Sequence, residues 1–199
     1  MPTNTDICFF DTETTGFVKK GGLVQPGQAR CVQLAALLCD ENGKELDRVY
    51  EIIKPDGFVI PDQVAKIHGV TQERALAEGK DRIQVLTRFQ GMFERSSLIV
   101  AHNFDYDRSI MEIEEAYSNG LFDWTGRPAS YCTMKSSTNI CKIPSARGGY
   151  KWPKLMEIYK HFFHKEFDKA HDAFADMFAM KEVFMELKKL GLTPAAARA

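Results

Sequence analysis

The sequence predicts an α/β fold in which a mixed five-stranded sheet is flanked by helices, and two patterns lead to this prediction. First, three strand-like segments open the chain, at residues 7–12, 29–38 and 46–53. An Asn-Gly turn within residues 40–44 joins the second segment to the third, so these strands are expected to form an antiparallel meander. Second, from residue 54 onwards helical spacing alternates with short apolar runs, which is typical of helices packed on a sheet.

The elements after residue 54 follow from periodicity and from residues that end helices. Apolar side chains recur at helical spacing from Ile83 to Phe93, and a long closing helix is ended by Gly191 and Pro194. We predict a fourth strand at 98–101, a fifth strand at 129–134, and helices at about 104–117, 153–161 and 174–190.

Composition limits the class of protein. The 199 residues, 44% of them hydrophobic, suffice for one domain, which we expect at 1–192 with a frayed tail at 193–199. Five cysteines without a Cys-x-x-Cys spacing favour reduced thiols over structural zinc.

No signal peptide is evident and no apolar run reaches the roughly 20 residues of a membrane helix, so we expect a cytoplasmic protein without a membrane partner. Because the net charge is −1, any contact with nucleic acid must be local.

Two acids stand at the end of the first strand. Side chains alternate faces along a strand, so Phe9, Asp11 and Glu13 share one side, and both carboxylates emerge where the apolar face ends. Two carboxylates about 4 Å apart repel by roughly 4 kcal/mol at an effective dielectric near 20. Such a pair normally shares a proton or binds a cation, and the sequence alone leaves both options open.

More acids occur on two later elements. Asp176 interrupts the apolar stripe of the closing helix, where a buried carboxylate must be paired, protonated or bound to a metal. Asp105 and Asp107 follow the fourth strand at a strand-to-helix junction, where sites in sheet-based folds commonly lie. Three separate segments of the chain therefore each place an acid at the end of a strand or on a face that packs against the core.

Three motifs, in this order, resemble the DEDDh 3′→5′ exonucleases, which have an RNase H-like fold. The motifs are Asp11-x-Glu13 followed by Thr14-Thr15-Gly16, His102-Asn103-x-x-Tyr106-Asp107, and His171 followed five residues later by Asp176. The resemblance spans residues 6–190, and within the family it is strongest to the proofreading epsilon subunit of bacterial DNA polymerase III and its stand-alone relatives.

The resemblance implies a complete catalytic site. It assigns four residues as ligands of two Mg²⁺ or Mn²⁺ ions: Asp11, Glu13, Asp107 and Asp176. His171 is implied as the general base, and Asp107 is favoured over Asp105 because the third acid of the family comes five residues after the histidine. The residue types suit this role, since hard oxygen ligands favour these ions and a histidine accepts protons near neutral pH.

The resemblance also implies the reaction, namely release of mononucleotides from 3′ ends of single-stranded or frayed DNA, in replication, repair or proofreading. RNA trimming and a catalytically silent binding module stay open as alternatives. An aspartate-nucleophile phosphatase would need a second aspartate at the position of Glu13, and a Walker-type ATPase would need a phosphate-binding loop that this sequence lacks. A DNA polymerase stays open as a partner, but without the C-terminal region that binds it we expect no tight tether.

Substrate contacts are expected near the 3′ end of the nucleic acid. The residues that the resemblance implies are Thr14, Gln63, Ile67, His68, Asn103 and Tyr106, of which Gln63, Ile67 and His68 come from the segment 61–71. His68 is also expected to pack as an ordinary helix residue. The segment 142–154 mixes cations, glycines and aromatic residues, a composition that fits either a single-strand contact or an ordinary surface loop.

Overall fold

A computed structural model describes residues 5–123, 128–168 and 172–194. The strands are β1 (Ile7–Thr14), β2 (Cys31–Cys39), β3 (Glu45–Ile52), β4 (Leu98–Ala101) and β5 (Ala129–Cys132). The helices are α1 (Asp62–His68), α2 (Gln72–Glu78), α3 (Arg82–Glu94), α4 (Phe104–Tyr117), α5 (Thr133–Ser136), α6 (Thr138–Cys141), α7 (Leu155–Phe163) and α8 (Ala173–Lys189).

The five strands form one mixed sheet in the order β3-β2-β1-β4-β5. β1 and β3 both pair antiparallel with β2, whereas β4 pairs parallel with β1 and β5 pairs parallel with β4. The predicted turn at 40–44 closes the β2–β3 hairpin, where Asp40 N donates to Lys44 O at 2.9 Å. The predicted mixed sheet with an antiparallel first half is therefore confirmed.

Helices cover both faces of the sheet, and β1 shows which helix covers which face. Phe9 points to α8, where its ring makes an edge contact with Phe184 at 5.3 Å between centroids. Phe10 points to the opposite face and contacts Phe89 of α3 and Phe104 of α4. All nine residues of β2 are buried, because this strand lies inside the sheet under both helix layers.

A buried ion network holds one end of this layered structure together. The Arg30 guanidinium donates from Nε and Nη2 to the two carboxylate oxygens of Glu114, at 2.9 and 3.0 Å, and both side chains are almost fully buried. Arg82 of α3 adds a contact to the same carboxylate at 3.4 Å. Tyr117 stacks on the Arg30 guanidinium, with Cζ 3.9 Å from the ring centroid. These contacts tie the start of β2 to α3 and α4.

Several predicted boundaries were wrong. β1 continues to Thr14, so both strand-end acids lie inside a paired strand, and β2 begins at Cys31 because residues 29 and 30 belong to the preceding loop. Residues 133–134, predicted as strand, open the short helix α5. Helices α1, α2, α5 and α6 were not bounded from the sequence, because segments of four to seven residues show too little apolar periodicity.

Two expectations from composition can be compared with the structure. All five cysteines are free thiols, and three of them are buried. Within the described ranges, no helix combines the length and the apolar character that crossing a membrane requires. Of the predicted tail, residues 195–199 lie outside the described part of the chain, while Leu192 O accepts a hydrogen bond from the Tyr131 hydroxyl at 2.9 Å.

Candidate active site

Three of the predicted carboxylates meet at the end of β1. Asp11, Glu13 and Asp176 each place one oxygen so that the three atoms lie within 4.8 Å of one another. The alternation of β1 puts Asp11 and Glu13 on the face covered by α8. Asp176 comes from the first turn of α8, which crosses that face. The strand and the helix therefore bring the acids together from opposite ends of the chain.

The start of α8 is fixed by Asp172. Its Oδ1 caps the helix by accepting from the backbone N–H groups of Phe174 and Ala175, each at 3.1 Å. Its backbone carbonyl accepts from Asp176 N at 2.9 Å, and its Oδ2 accepts from the Tyr50 hydroxyl at 2.7 Å. Burial, with the carboxylate of Asp172 beside it, raises the pKa of Tyr50 to about 12. Tyr50 therefore links β3 to the turn that carries Asp176.

Asp107 approaches the same strand from its other face. It is buried in the first turn of α4, and its Oδ1 accepts from the Thr12 hydroxyl at 2.7 Å and from Thr12 N at 3.2 Å. Asp105, two residues earlier, is exposed and forms an ion pair with Lys135. The geometry thus brings Asp107 to β1 and directs Asp105 to the surface.

Burial disfavours the charged forms of these acids, and repulsion between the carboxylates adds to the effect for Asp11 and Glu13. Burial raises the pKa of Asp11 well above its usual range, and the carboxylates of Asp107 and Asp176 add to the shift. Burial, followed by Asp176 and Asp107, raises the pKa of Glu13 to about 8. Burial also raises the pKa of Asp107 to about 7, although its hydrogen bonds from Thr12 oppose the shift. In the folded protein these acids are therefore favoured either in the protonated form or with a cation bound to them.

The donor set fits a divalent cation with a preference for hard ligands. Carboxylate oxygens are the ligands that Mg²⁺ and Mn²⁺ prefer, and three of them can reach one point between β1 and α8. Asp107 adds a fourth carboxylate whose charge acts on Asp11.

The predicted contacts Thr14 and Tyr106 lie next to these acids. Their hydroxyl oxygens are 2.6 Å apart, and the Tyr106 hydroxyl donates to Gly16 O at 2.7 Å. Asn103 takes a left-handed backbone conformation, with φ 70°, just before α4. This part of the second motif therefore supports the turn that follows β1.

His102, the first residue of the second motif, connects two parts of the fold through hydrogen bonds. His102 Nε2 donates to Pro153 O at 3.1 Å, and its Nδ1 lies 3.0 Å from the Thr133 hydroxyl. Burial lowers the pKa of His102 to about 4. The neutral ring joins the end of β4 to the segment before α7.

Helix α1 carries the remaining predicted contacts. His68 is buried and its Nδ1 accepts from Val70 N at 3.1 Å, as expected for a packed helix residue. Burial lowers its pKa, and the backbone of Thr14 partly opposes this shift, so the ring faces the end of β1. Gln63 is exposed, and Ile67 is 58% exposed, which leaves both free to contact a substrate.

The predicted general base lies outside the described residues. His171 falls in the stretch 169–171, so its role stays a prediction from the motif. Sequence reasoning also missed Thr12, Tyr50 and Asp172. An aspartate directly before a helical stripe is a capping signal and could have identified Asp172. The other two residues act through long-range hydrogen bonds that no local pattern reveals.

The sequence matches the RNase_T family, described as Exonuclease, over residues 8–184. The chain belongs to this exonuclease family. The match runs from the start of β1 through most of α8, so the fold described above is that of an exonuclease domain.

Relatives and solved structures agree with this membership. The exonuclease domain is 27% identical over 176 residues to the uncharacterized exonuclease CP81 of Escherichia phage 186, covering 86% of this chain and 82% of the relative. It is 30% identical over 114 residues to a DNA polymerase III subunit epsilon-like protein of Rhodobacter capsulatus, covering 57% of this chain but only 15% of that relative.

The structural match extends over most of the fold. E. coli exonuclease I in complex with a dA16 oligonucleotide superimposes with a TM-score of 0.71 at 19% identity, over 92% of this chain and 41% of that chain. A zinc-bound form of the same enzyme with single-stranded DNA gives the same TM-score. At this identity the likeness establishes the fold, and the exonuclease domain corresponds to less than half of exonuclease I.

Proposed function

We propose that residues 1–192 form one 3′→5′ exonuclease domain that hydrolyses single-stranded or frayed DNA to nucleoside 5′-monophosphates. The observation that carries the proposal is the meeting of Asp11, Glu13 and Asp176, with buried Asp107 hydrogen-bonded to Thr12 of the same strand. Carboxylates that repel one another in this way are suited to neutralising bound cations.

The four carboxylates would hold two Mg²⁺ or Mn²⁺ ions. When bound, such ions supply positive charge for the attacking and leaving oxygens of an in-line phosphoryl displacement. The contribution of the chain is rigidity, because Thr12 fixes one carboxylate and the capped turn of α8 fixes another. His171 accepts the proton of the attacking water and can do so near neutral pH.

The 3′-terminal nucleotide would lie between the end of β1 and α1. Thr14, His68 and the exposed Ile67 side chain offer polar and apolar surface there. Gln63, Asn103 and Tyr106 complete the proposed set. The family motifs support 3′→5′ polarity, and the DNA-bound exonuclease I structures and the epsilon-like relative support DNA, in replication or repair, over RNA.

The decisive experiment is a gel time course with matched 5′-labelled single-stranded DNA and RNA, in Mg²⁺ and in EDTA. The wild type should give a ladder that shortens from the 3′ end in Mg²⁺ only, with DNA degraded faster than RNA. Asp11→Ala and Asp107→Ala should abolish it. The matched control is Asp105→Ala, since Asp105 is exposed and paired with Lys135, and this variant should retain activity.

Two further results would change the assignment. If both nucleic acids stay intact across a Mg²⁺ and Mn²⁺ titration, the domain is a silent binding module or another hydrolase. If His171→Ala keeps the wild-type rate in saturating Mg²⁺, another group is the general base.

A further inference from the structure

The segment between α6 and α7 forms a hairpin that is closed by backbone hydrogen bonds. Lys151 N donates to Ile143 O at 2.9 Å, and Ser145 N donates to Gly149 O at 3.0 Å. Gly148 and Gly149 form the turn with positive φ angles of 85° and 68°. We call residues 142–154 the basic hairpin. Its backbone hydrogen bonds distinguish it from an irregular surface loop.

The basic hairpin displays cations and aromatic rings. Lys142, Arg147, Lys151 and Lys154 lie within 13 residues that contain no acid, although the net charge of the whole chain is −1. Tyr150 is 47% exposed and Trp152 is 60% exposed. Burying large aromatic side chains is favourable, so an exposed pair among cations indicates a surface that a ligand covers.

The hairpin is attached at the same end of the sheet as the carboxylates. Pro153 O, at its base, accepts from His102, which directly follows β4. β4 runs parallel to β1 as its neighbour, so both strands end at one edge of the sheet. Lys151 and Glu157 form an ion pair at 2.6 Å that braces the hairpin against α7. The exposed rings therefore stand on a fixed support beside the site.

We propose that the basic hairpin holds the single strand upstream of the nucleotide being removed. This proposal rests on the proposed function, and it adds a binding surface to it. Trp152 and Tyr150 stack on bases, and Arg147 and Lys142 pair with phosphates. Cations interleaved with aromatic rings are the composition that sequence-tolerant single-strand sites use.

The first test is equilibrium binding of a fluorescein-labelled dT oligomer, measured by anisotropy in Ca²⁺. Loss of one stacking ring weakens single-strand binding by about 5- to 150-fold, so Trp152→Ala and Tyr150→Ala should fall in this range. Arg147→Ala should lower the salt dependence of binding by about 0.7 in the log–log slope. Leu121→Ala is the control, because Leu121 is equally exposed but lies beyond the far end of α4.

A second readout reports stacking directly. The chain has two tryptophans, so Trp124→Phe leaves Trp152 as the single tryptophan. Its fluorescence should be quenched when the oligomer is added. Trp152→Phe should retain most of the affinity, which separates loss of stacking from misfolding.

Failure of this proposal can be told apart from failure of the proposed function. The p-nitrophenyl ester of thymidine 5′-monophosphate presents one nucleotide and no upstream strand. Trp152→Ala should hydrolyse it at the wild-type rate while degrading the oligomer more slowly. Unchanged oligomer binding in Trp152→Ala, Tyr150→Ala and Arg147→Ala would overturn the proposal and point to a protein partner instead. If the wild type hydrolyses neither substrate, the proposed function itself is wrong.

Discussion

Glu13→Gln should stabilise the metal-free protein, although it removes a proposed metal ligand. The pKa of Glu13 is raised from 4.5 to about 8, first by burial and then by Asp176 and Asp107. Because the folded-state value is the higher one, stability from this group is fully present below pH 4.5 and is lost as the pH rises through 8. The wild type therefore carries a stability cost at neutral pH that the neutral amide removes.

The size of this effect follows from the two pKa values. At pH 7 the folded carboxyl group is still mostly protonated, whereas the unfolded one is almost fully ionised. Keeping Glu13 protonated in the folded state costs about 1.4 kcal/mol of folding free energy for each pH unit between 4.5 and 7. The total cost at pH 7 is roughly 3 kcal/mol, which is an upper limit because Glu13 is partly exposed. For a chain of this length, each kcal/mol changes Tm by about 2–4 °C.

The assay is thermal unfolding in EDTA from pH 4.5 to pH 8. The Tm of Glu13→Gln should exceed that of the wild type at pH 7 by about 5–10 °C, and the difference should shrink towards pH 4.5. In excess Mg²⁺ the difference should shrink or reverse, because only the wild type retains all the ligands. Glu45→Gln is the control, since Arg48 lowers the pKa of Glu45 and its loss should not raise Tm. An unchanged or lower Tm of Glu13→Gln in EDTA at pH 7 would refute the reasoning.

Two other substitutions test contacts that support the site. Tyr50→Phe removes the hydroxyl that donates to Asp172 and should weaken Mn²⁺ binding, measured by electron paramagnetic resonance titration, by about 10- to 150-fold, as expected for one hydrogen bond to a charged group. Equal Mn²⁺ affinity would show that this hydrogen bond does not position α8. Glu114→Ala leaves Arg30 buried without its partner and should cost about 3–5 kcal/mol in a urea unfolding curve. The exposed control Glu78→Ala should cost less than about 1 kcal/mol, and similar losses in both variants would contradict the importance of burial.

The antiparallel half of the sheet was predictable because its signals are local. Alternation along β1 and the Asn-Gly turn before β3 depend only on neighbouring residues. The short helices were not predictable, since α1 buries only Ala65 and His68 and α2 buries only Ala75. Such short segments pack by fitting between larger elements, and their sequences carry almost no periodic signal.

For the candidate site, the sequence by itself determined which side chains share a face. Period-two alternation places Asp11 with Glu13, and period-3.6 spacing places Asp176 on the apolar stripe of α8. The motif spacing also favoured Asp107 over Asp105. In the structure Asp107 accepts two hydrogen bonds from β1, whereas Asp105 pairs with a lysine at the surface.

Only the tertiary structure decided how these faces meet. Thr12 and Asp107 are 95 residues apart in the chain, and Tyr50 and Asp172 are 122 residues apart, yet two hydrogen bonds join the first pair and one joins the second. Contacts at such separations depend on how α4 and α8 pack against opposite faces of the sheet. Local sequence patterns carry no information about that packing, because they fix the direction of a side chain and not the distance to its partner.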